Sequence, residues 1–202
     1  MIYNGASGPI EAYINFGDAR PPQRPPRMPQ YGKKHLDILQ EKCDELDGTV
    51  LIKPELVKPE PIRVENITQT FLVKKEDGSF RMVSSFGNIA LYIRPQPPFM
   101  QSINDILRLI AAWSRFIEAD LVHAYWQLPL EHRSMKYCGV QTPYKGVRVY
   151  QTGVMGLPGM ESCLEELLSR VLGDLIHRGV VAKLADNLYI GTTRSVEDLL
   201  EI

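Results

Sequence analysis

The sequence of 202 residues is poor in cysteine, carries almost no net charge and has no long apolar run. Its cysteines, Cys43, Cys138 and Cys163, are odd in number and form no Cys-x-x-Cys pair, which argues against both a disulfide framework and a structural zinc site. No apolar run reaches the length of a membrane span, and the N-terminus lacks the charged-then-apolar order of a signal peptide. We therefore expect an intracellular protein, cytoplasmic or nuclear.

Several common functional motifs are also absent. The 4 histidines have no metal-ligand spacing, and there is no internal repeat, P-loop, Gly-x-Gly-x-x-Gly or Gly-x-Ser-x-Gly. A formal net charge of −1 argues against a uniformly basic nucleic-acid binder but allows a local basic surface. With 44% hydrophobic and 23% charged residues, the composition is that of a globular chain with one sizeable core.

Residues 1–35 differ in composition from the rest. Prolines recur between Pro9 and Pro29 and exclude regular elements there. The stretch 20–35 contains five arginines and lysines and no acid. Two interpretations remain open: a solvated linker, or a basic arm whose side chains contact phosphates.

The middle of the chain predicts a helix, a hairpin and a second helix. Apolar residues at spacings of three and four predict a helix over 36–46 with a glycine cap at Gly48. The stretch 70–86 predicts a hairpin turning at Asp77-Gly78, and Ser102 begins a further helix whose apolar face should be buried. The hairpin carries three cations that are either ordinary solvated charges or a clamp for a triphosphate: Lys74, Lys75 and Arg81.

The last third of the chain predicts an α+β layer that holds two aspartates. A short strand ends at Asp120, a hairpin covers 137–152, a long apolar-faced helix follows, and a second hairpin turns at Asp186-Asn187. Most such Asx pairs between strands are turns without chemistry. If the sheet brings Asp120 and Asp186 side by side, about 4–6 Å apart, a divalent cation would neutralise their repulsion. Mg²⁺ suits such ligands, which favours phosphoryl or nucleotidyl transfer.

Four segments, in this order, resemble motifs of reverse transcriptases from Ty3/gypsy-type LTR retrotransposons. Residues 71–82 (Phe-Leu-Val-Lys-Lys-Glu-Asp-Gly-Ser-Phe-Arg-Met) resemble the finger ribbon, and 118–128 (Glu-Ala-Asp-Leu-Val-His-Ala-Tyr-Trp-Gln-Leu) resemble the first palm motif. Residues 154–159 (Val-Met-Gly-Leu-Pro-Gly) resemble the motif along template and nucleotide. Residues 183–189 (Lys-Leu-Ala-Asp-Asn-Leu-Tyr) resemble the x-x-Asp-Asp hairpin. Together with the N-terminal lead-in, the resemblance covers nearly the whole chain.

The resemblance implies a polymerase palm, an antiparallel sheet with helices on one face, together with fingers. It implies fingers over 36–115 and a palm over 116–202 that ends before the thumb, with 1–35 as the linker or arm. The partners would be an RNA or DNA template-primer, a dNTP and the remaining polyprotein domains, such as thumb and RNase H. The cofactor would be two Mg²⁺ ions, with Mn²⁺ as a substitute.

The resemblance also assigns roles to individual residues. Asp120 and Asp186 would bind the metals through their carboxylates, and Leu121 through its backbone carbonyl. Tyr125 would lie under the sugar as a gate against a 2′-hydroxyl. The nucleotide-binding residues would be Lys74, Lys75, Arg81, Tyr125, Met155 and Gly156.

The sequence departs from the family pattern at the catalytic hairpin. Asn187 stands where the family has its second aspartate, so one negative charge is missing where cations should gather. We therefore expect an impaired fragment of a reverse transcriptase. Two alternatives are a catalytically dead relic that folds and at most binds nucleic acid or a protein partner, and a domesticated interaction module.

Overall fold

The computed structural model describes residues 5–23, 28–94, 102–184 and 186–200 of a mixed α+β chain. Its helices are α1 Lys33–Leu46, α2 Gly87–Ala90, α3 Ile103–Ala112, α4 His132–Met135, α5 Met160–His177 and α6 Val196–Leu200. Its strands are β1 Leu51–Ile52, β2 Ile67–Lys74, β3 Phe80–Ser85, β4 Arg115–Asp120, β5 Gly139–Gln141, β6 Val147–Tyr150, β7 Val181–Leu184 and β8 Asn187–Thr192. None of the described helices is long and apolar enough to cross a membrane.

The chain divides into two compact units. The first contains Glu11–Pro95 and Tyr125–Met160, and the second contains Asn4–Ile10, Gln96–Ala124 and Glu161–Ile202. The predicted fingers over 36–115 and palm over 116–202 concern functional regions and stay predictions.

The first unit contains a five-stranded sheet in the order β1-β6-β5-β2-β3. Strands β2 and β5 are parallel and the other neighbours are antiparallel. The predicted hairpin is confirmed: Lys74 pairs with Phe80, and Gly78 takes the positive φ of +82° that its turn requires. Helix α1 packs on this hairpin, with Cys43 Sγ 3.5 Å from Met82 Sδ and the His35 and Phe80 rings 5.5 Å apart.

Part of the predicted N-terminal linker is packed structure. Ala12, Ile14 and Phe16 are buried at alternate positions, which is the pattern of an extended segment against a core. The N–H of Ala12 donates to the Pro129 carbonyl at 2.8 Å, and the N–H of Ile14 donates to Ser134 Oγ at 2.9 Å. A solvated linker is therefore the wrong description for these residues. The proline-rich composition indicated a linker, because the prolines lie on both sides of an alternating apolar stretch. Arg24 and Arg27 of the basic stretch lie outside the described residues.

A buried chain of hydroxyl groups connects the β2–β3 hairpin to β6. Thr70 Oγ1 and Ser84 Oγ share a hydrogen bond of 3.0 Å, and Ser84 Oγ and the Tyr150 hydroxyl share one of 2.8 Å. All three side chains are buried. Burial raises the pKa of Tyr150 well above its ordinary value, because the phenolate would lose its water.

We predict that Tyr150→Phe lowers the free energy of unfolding by about 1 kcal/mol at pH 8, since one buried hydrogen bond is lost. The folded protein holds the Tyr150 proton more tightly than the unfolded chain does. The contribution of Tyr150 is therefore complete below about pH 10 and falls as the pH rises further. Urea unfolding of both proteins at pH 8 and pH 10.5 measures the difference, which should shrink at the higher pH. A difference independent of pH would contradict this account, and Tyr13→Phe at an exposed tyrosine is the control.

The second unit contains a three-stranded antiparallel sheet in the order β4-β8-β7. Helix α3 lies against β7 and α6 lies against β4 and β8. The indole of Trp113 donates to the Gly179 carbonyl at 3.0 Å and lies against Gly191, where a Cβ would come within 2.2 Å of the ring. This close approach is why β8 has glycine at that position. Helix α6 begins after Ser195, where Ser195 and Asp198 form a reciprocal cap.

The prediction that the apolar face of α3 is buried was only partly right. Ile106 is buried, but Ile103 and Leu107 are each 53% exposed. On α5, Val171 is likewise 51% exposed although Leu164 and its neighbours are buried. Helix α3 contacts β7, the edge strand of a narrow sheet, and an edge strand covers only part of a helix face. Periodicity predicts which face is apolar but not how much of it is covered.

Candidate functional site

The end of β4 and the β7–β8 hairpin bring the predicted metal-binding residues together. Asp120, the last residue of β4, is the direct cross-strand partner of Asn187, the first residue of β8. One residue further along, the N–H of Leu121 donates to the backbone carbonyl of Asp186 at 2.9 Å. Side chains of directly paired residues in antiparallel strands share a face, with Cβ atoms about 4.5–5.5 Å apart. The predicted separation of the Asp120 and Asp186 carboxylates stays a prediction.

The backbone turns sharply after Asp120. The N–H of Ala124 donates to the Leu121 carbonyl at 3.3 Å, and His123 takes a positive φ of 57°, which is unusual for a residue other than glycine. Asp120 is exposed, whereas Asp186 and Asn187 are half-buried. The site is therefore open to water on the Asp120 side.

The donor set at this site fits a hard divalent cation. The carboxylates of Asp120 and Asp186, the side-chain amide oxygen of Asn187 and the Leu121 carbonyl are all oxygen ligands of the kind that Mg²⁺ prefers. The Leu121 carbonyl accepts one hydrogen bond and keeps a second lone pair for a cation. Within the described part of the chain, no group of three acids, histidines or cysteines could hold a metal ion. The site thus offers two acids plus neutral oxygens rather than three acids.

A buried ion pair lies on the other face of the same hairpin. Lys183 of β7 is 2% exposed and Glu165 of α5 is 3% exposed. The Lys183 ammonium contacts the Glu165 carboxylate and also donates to the Glu165 backbone carbonyl at 3.2 Å. Burial lowers the pKa of Lys183 to about 8, because the ammonium loses its hydration.

Neither member of this pair was predicted from the sequence to have a role. Lys183 belongs to the segment 183–189 that resembles the family's hairpin, and Glu165 belongs to the predicted long helix. The available signal was a lysine inside the apolar run that forms β7, since a buried ammonium needs a carboxylate partner. The identity of that partner could not be derived, because α5 carries several glutamates.

In the first unit, the three predicted phosphate-binding cations line one open cleft of about 540 Å³ at the end of the β2–β3 hairpin. Val73 pairs with Arg81, whereas Lys74 pairs with Phe80. Arg81 and Lys74 therefore belong to opposite faces of the ribbon near its end. Glu76 and Asp77 line the same cleft, so its charge is mixed. The full lining is Val73, Lys74, Lys75, Glu76, Asp77 and Arg81.

The other predicted nucleotide-binding residues also lie in the first unit. Tyr125 is half-buried in a 3₁₀ turn over Ala124–Gln127, and Met155 is 62% exposed. Gly156 has φ +85°, and a Cβ there would meet nothing within 4 Å. Its glycine is therefore required by the backbone conformation, and the space beside it is open. The roles predicted for these residues stay predictions.

These two sheets and their helices have the fold of part of a reverse transcriptase. The chain is similar to the crystal structure of the protease–reverse transcriptase of prototype foamy virus in its selenomethionine-labelled CSH mutant. The TM-score is 0.73 at 20% sequence identity, and the match covers 95% of this chain and 24% of that chain. The chain is also similar to the native form of the same foamy virus protein, with a TM-score of 0.71 at 17% identity. This match covers 93% of this chain and 24% of that chain. The foamy viral protease–reverse transcriptase in complex with an RNA/DNA hybrid has a TM-score of 0.76 at 19% identity, over 100% of this chain and 25% of that chain.

The chain therefore spans about a quarter of the length of these solved proteins. At these identities the likeness establishes the fold alone. No protein-family model matches the chain, and no curated protein matches its sequence.

We predict that Lys183→Met or Glu165→Gln alone lowers the free energy of unfolding by about 3–5 kcal/mol, because each leaves one buried polar or charged group without its partner. The double variant should lose less than either single variant, since both charges leave together. Urea denaturation of the four proteins gives the coupling energy. A double variant as unstable as the sum of the two single variants would show that the pair is not coupled.

Proposed function

We propose that the chain is the fingers and palm part of an RNA-directed DNA polymerase from a Ty3/gypsy-type LTR retrotransposon. It would transfer a nucleotide from a dNTP to a primer 3′-hydroxyl on an RNA or DNA template. The observation that supports this proposal most strongly is the pairing of Asp120 with Asn187, beside Asp186. The pairing lies at one end of a sheet in a reverse-transcriptase-like fold. The foamy viral neighbour bound to an RNA/DNA hybrid supports nucleic acid as the partner.

In this proposal, residues of the chain bind and orient the reactants. Asp120, Asp186 and the Leu121 carbonyl would hold two Mg²⁺ ions. When bound, these ions would activate the primer hydroxyl and neutralise charge on the phosphates. Arg81 and a hairpin lysine, Lys74 or Lys75, would bind the triphosphate, since they line one open cleft. The open space at Met155 and Gly156 would admit the nucleotide.

Asn187 is the residue that we expect to limit activity. An amide cannot supply the negative charge of a carboxylate, so the metals would be bound by two acids instead of three. This same residue favours the second candidate function, a relic that binds nucleic acid without catalysis. Primer extension on a homopolymer template with Mg²⁺ and with Mn²⁺ separates the two. Extension that disappears in Asp120→Asn supports the polymerase, and no extension with retained binding of an RNA/DNA hybrid supports the relic.

We predict that Asn187→Asp raises Mg²⁺ affinity by about one to two decades and raises primer extension with it. The added charge lies near a divalent ion at a partly water-exposed site, which sets this magnitude. Without metal, the melting temperature should fall slightly, because the new carboxylate stands directly opposite Asp120 across the two strands. Calorimetric titration and thermal melts with and without Mg²⁺ measure these effects. A parent chain that extends primers as well as the variant would contradict this account.

We predict that Tyr125→Ala raises ribonucleotide incorporation relative to deoxyribonucleotide incorporation. The reason is that the proposed gate against the 2′-hydroxyl would be removed. Competitive single-nucleotide extension with matched rNTP and dNTP measures the ratio, with Tyr144→Ala at an exposed tyrosine of the same unit as the control. An unchanged ratio in an active protein would leave Tyr125 a packing residue.

A further inference from the structure

The ion pair between Lys183 and Glu165 is built into the face of the sheet opposite the candidate ligands. Lys183 pairs with Leu188, and Leu188 pairs with Ala119, so these three residues share one face. Asp120 and Asn187 share the other face. Lys183 therefore lies on the face of the sheet opposite to Asp120 and Asn187.

Both members of the pair are held by more than their mutual charge. The Lys183 ammonium contacts the Glu165 carboxylate and donates to the Glu165 backbone carbonyl at 3.2 Å. The same carbonyl accepts a hydrogen bond of 2.8 Å from Ser169 Oγ. The carboxylate and carbonyl of one α5 residue thus fix the position of the Lys183 ammonium, and through it the position of β7 on the helix.

Such a pair specifies one position more strictly than an apolar contact would. Leucine or methionine in place of Lys183 would specify the position along α5 less strictly, because apolar contacts are not directional. A buried ammonium moved by one residue would lose its carboxylate and would be left desolvated without a partner. Asp186 follows Lys183 by three residues and lies in the hairpin turn. The position of β7 on α5 therefore determines the position of this turn relative to Leu121.

We propose that Lys183 and Glu165 form a positioning pair that fixes the β7–β8 hairpin on α5 and keeps Asp186 against Leu121. The benefit to metal binding rests on the proposed function, whereas the positioning itself does not. The pair acts on the site through the backbone. Neither residue touches the reacting groups, so both are positioning residues and not catalytic ones.

The test uses the full chain with Glu165→Gln and Lys183→Met combined, which removes both charges and leaves no ion without a partner. Amide hydrogen exchange followed by NMR reports the position of the hairpin, because the Leu121 N–H is bonded to the Asp186 carbonyl. We expect exchange at Leu121 to accelerate at least tenfold. The amides of Ser114 and Gly191, bonded to Thr192 and Val180 at the other end of the sheet, are internal controls and should keep their rates.

A matched pair of substitutions in the first unit controls for general loss of stability. Arg148 is buried and bonded to Asp47 at 2.9 Å, far in sequence from the hairpin. Asp47→Asn with Arg148→Met should change the melting temperature without selective exchange at Leu121. Unchanged protection of Leu121 in the Glu165/Lys183 double variant, or equal acceleration at Ser114 and Gly191, would overturn the proposal, since either result indicates a purely stabilising role.

The affinity for Mn²⁺, measured by electron paramagnetic resonance, tests whether the position of the hairpin affects metal binding at the site. We expect at least tenfold weaker binding in the double variant. Selective exchange at Leu121 with unchanged Mn²⁺ affinity would refute the link between the pair and metal binding. A parent chain that binds no Mn²⁺ would count against the proposed function, while the exchange measurement would still decide whether the pair positions the hairpin.

Discussion

The second unit depends on the antiparallel register between β4 and β8. This register makes Asp120 the partner of Asn187 and places the Leu121 N–H against the Asp186 carbonyl. Because side chains alternate along a strand, a slip by one residue would move Asp120 to the opposite face and separate the candidate ligands. The position of Trp113 over Gly191 fixes the same register from the far end, since any other residue there would collide with the indole.

Most elements of the fold could be predicted from local sequence. The β2–β3 turn at Gly78, the start of α6 after Ser195 and the hairpin at Asp186 follow from turn and cap chemistry that acts over a few residues. The grouping of Asp120 with Asp186 was also predicted, because each ends a strand-like run. The separation of their carboxylates and the roles of Tyr125, Met155 and Gly156 stay predictions.

The errors came from contacts between residues distant in sequence. The composition of residues 1–35 predicts a linker or an arm, and it could not reveal that Ala12 and Ile14 bond to Pro129 and Ser134, more than a hundred residues away. Ile103 was expected in a core because a helical period shows that a face is apolar, not what covers it. The partnership of Lys183 with Glu165 is of the same kind. No local rule selects one glutamate of α5 over another.

The site combines a backbone held by the strand register with two acids and several neutral oxygens. The register and the Leu121 hydrogen bond hold the hairpin beside the end of β4, and the Lys183–Glu165 pair joins β7 to α5. Asparagine shares the turn preference of aspartate, and a neutral Asn187 avoids a repulsion with Asp120, its cross-strand partner. Selection for folding alone would therefore accept asparagine here. Only a requirement for bound cations would favour aspartate, so the residue at this position responds to cation binding and not to the stability of the fold.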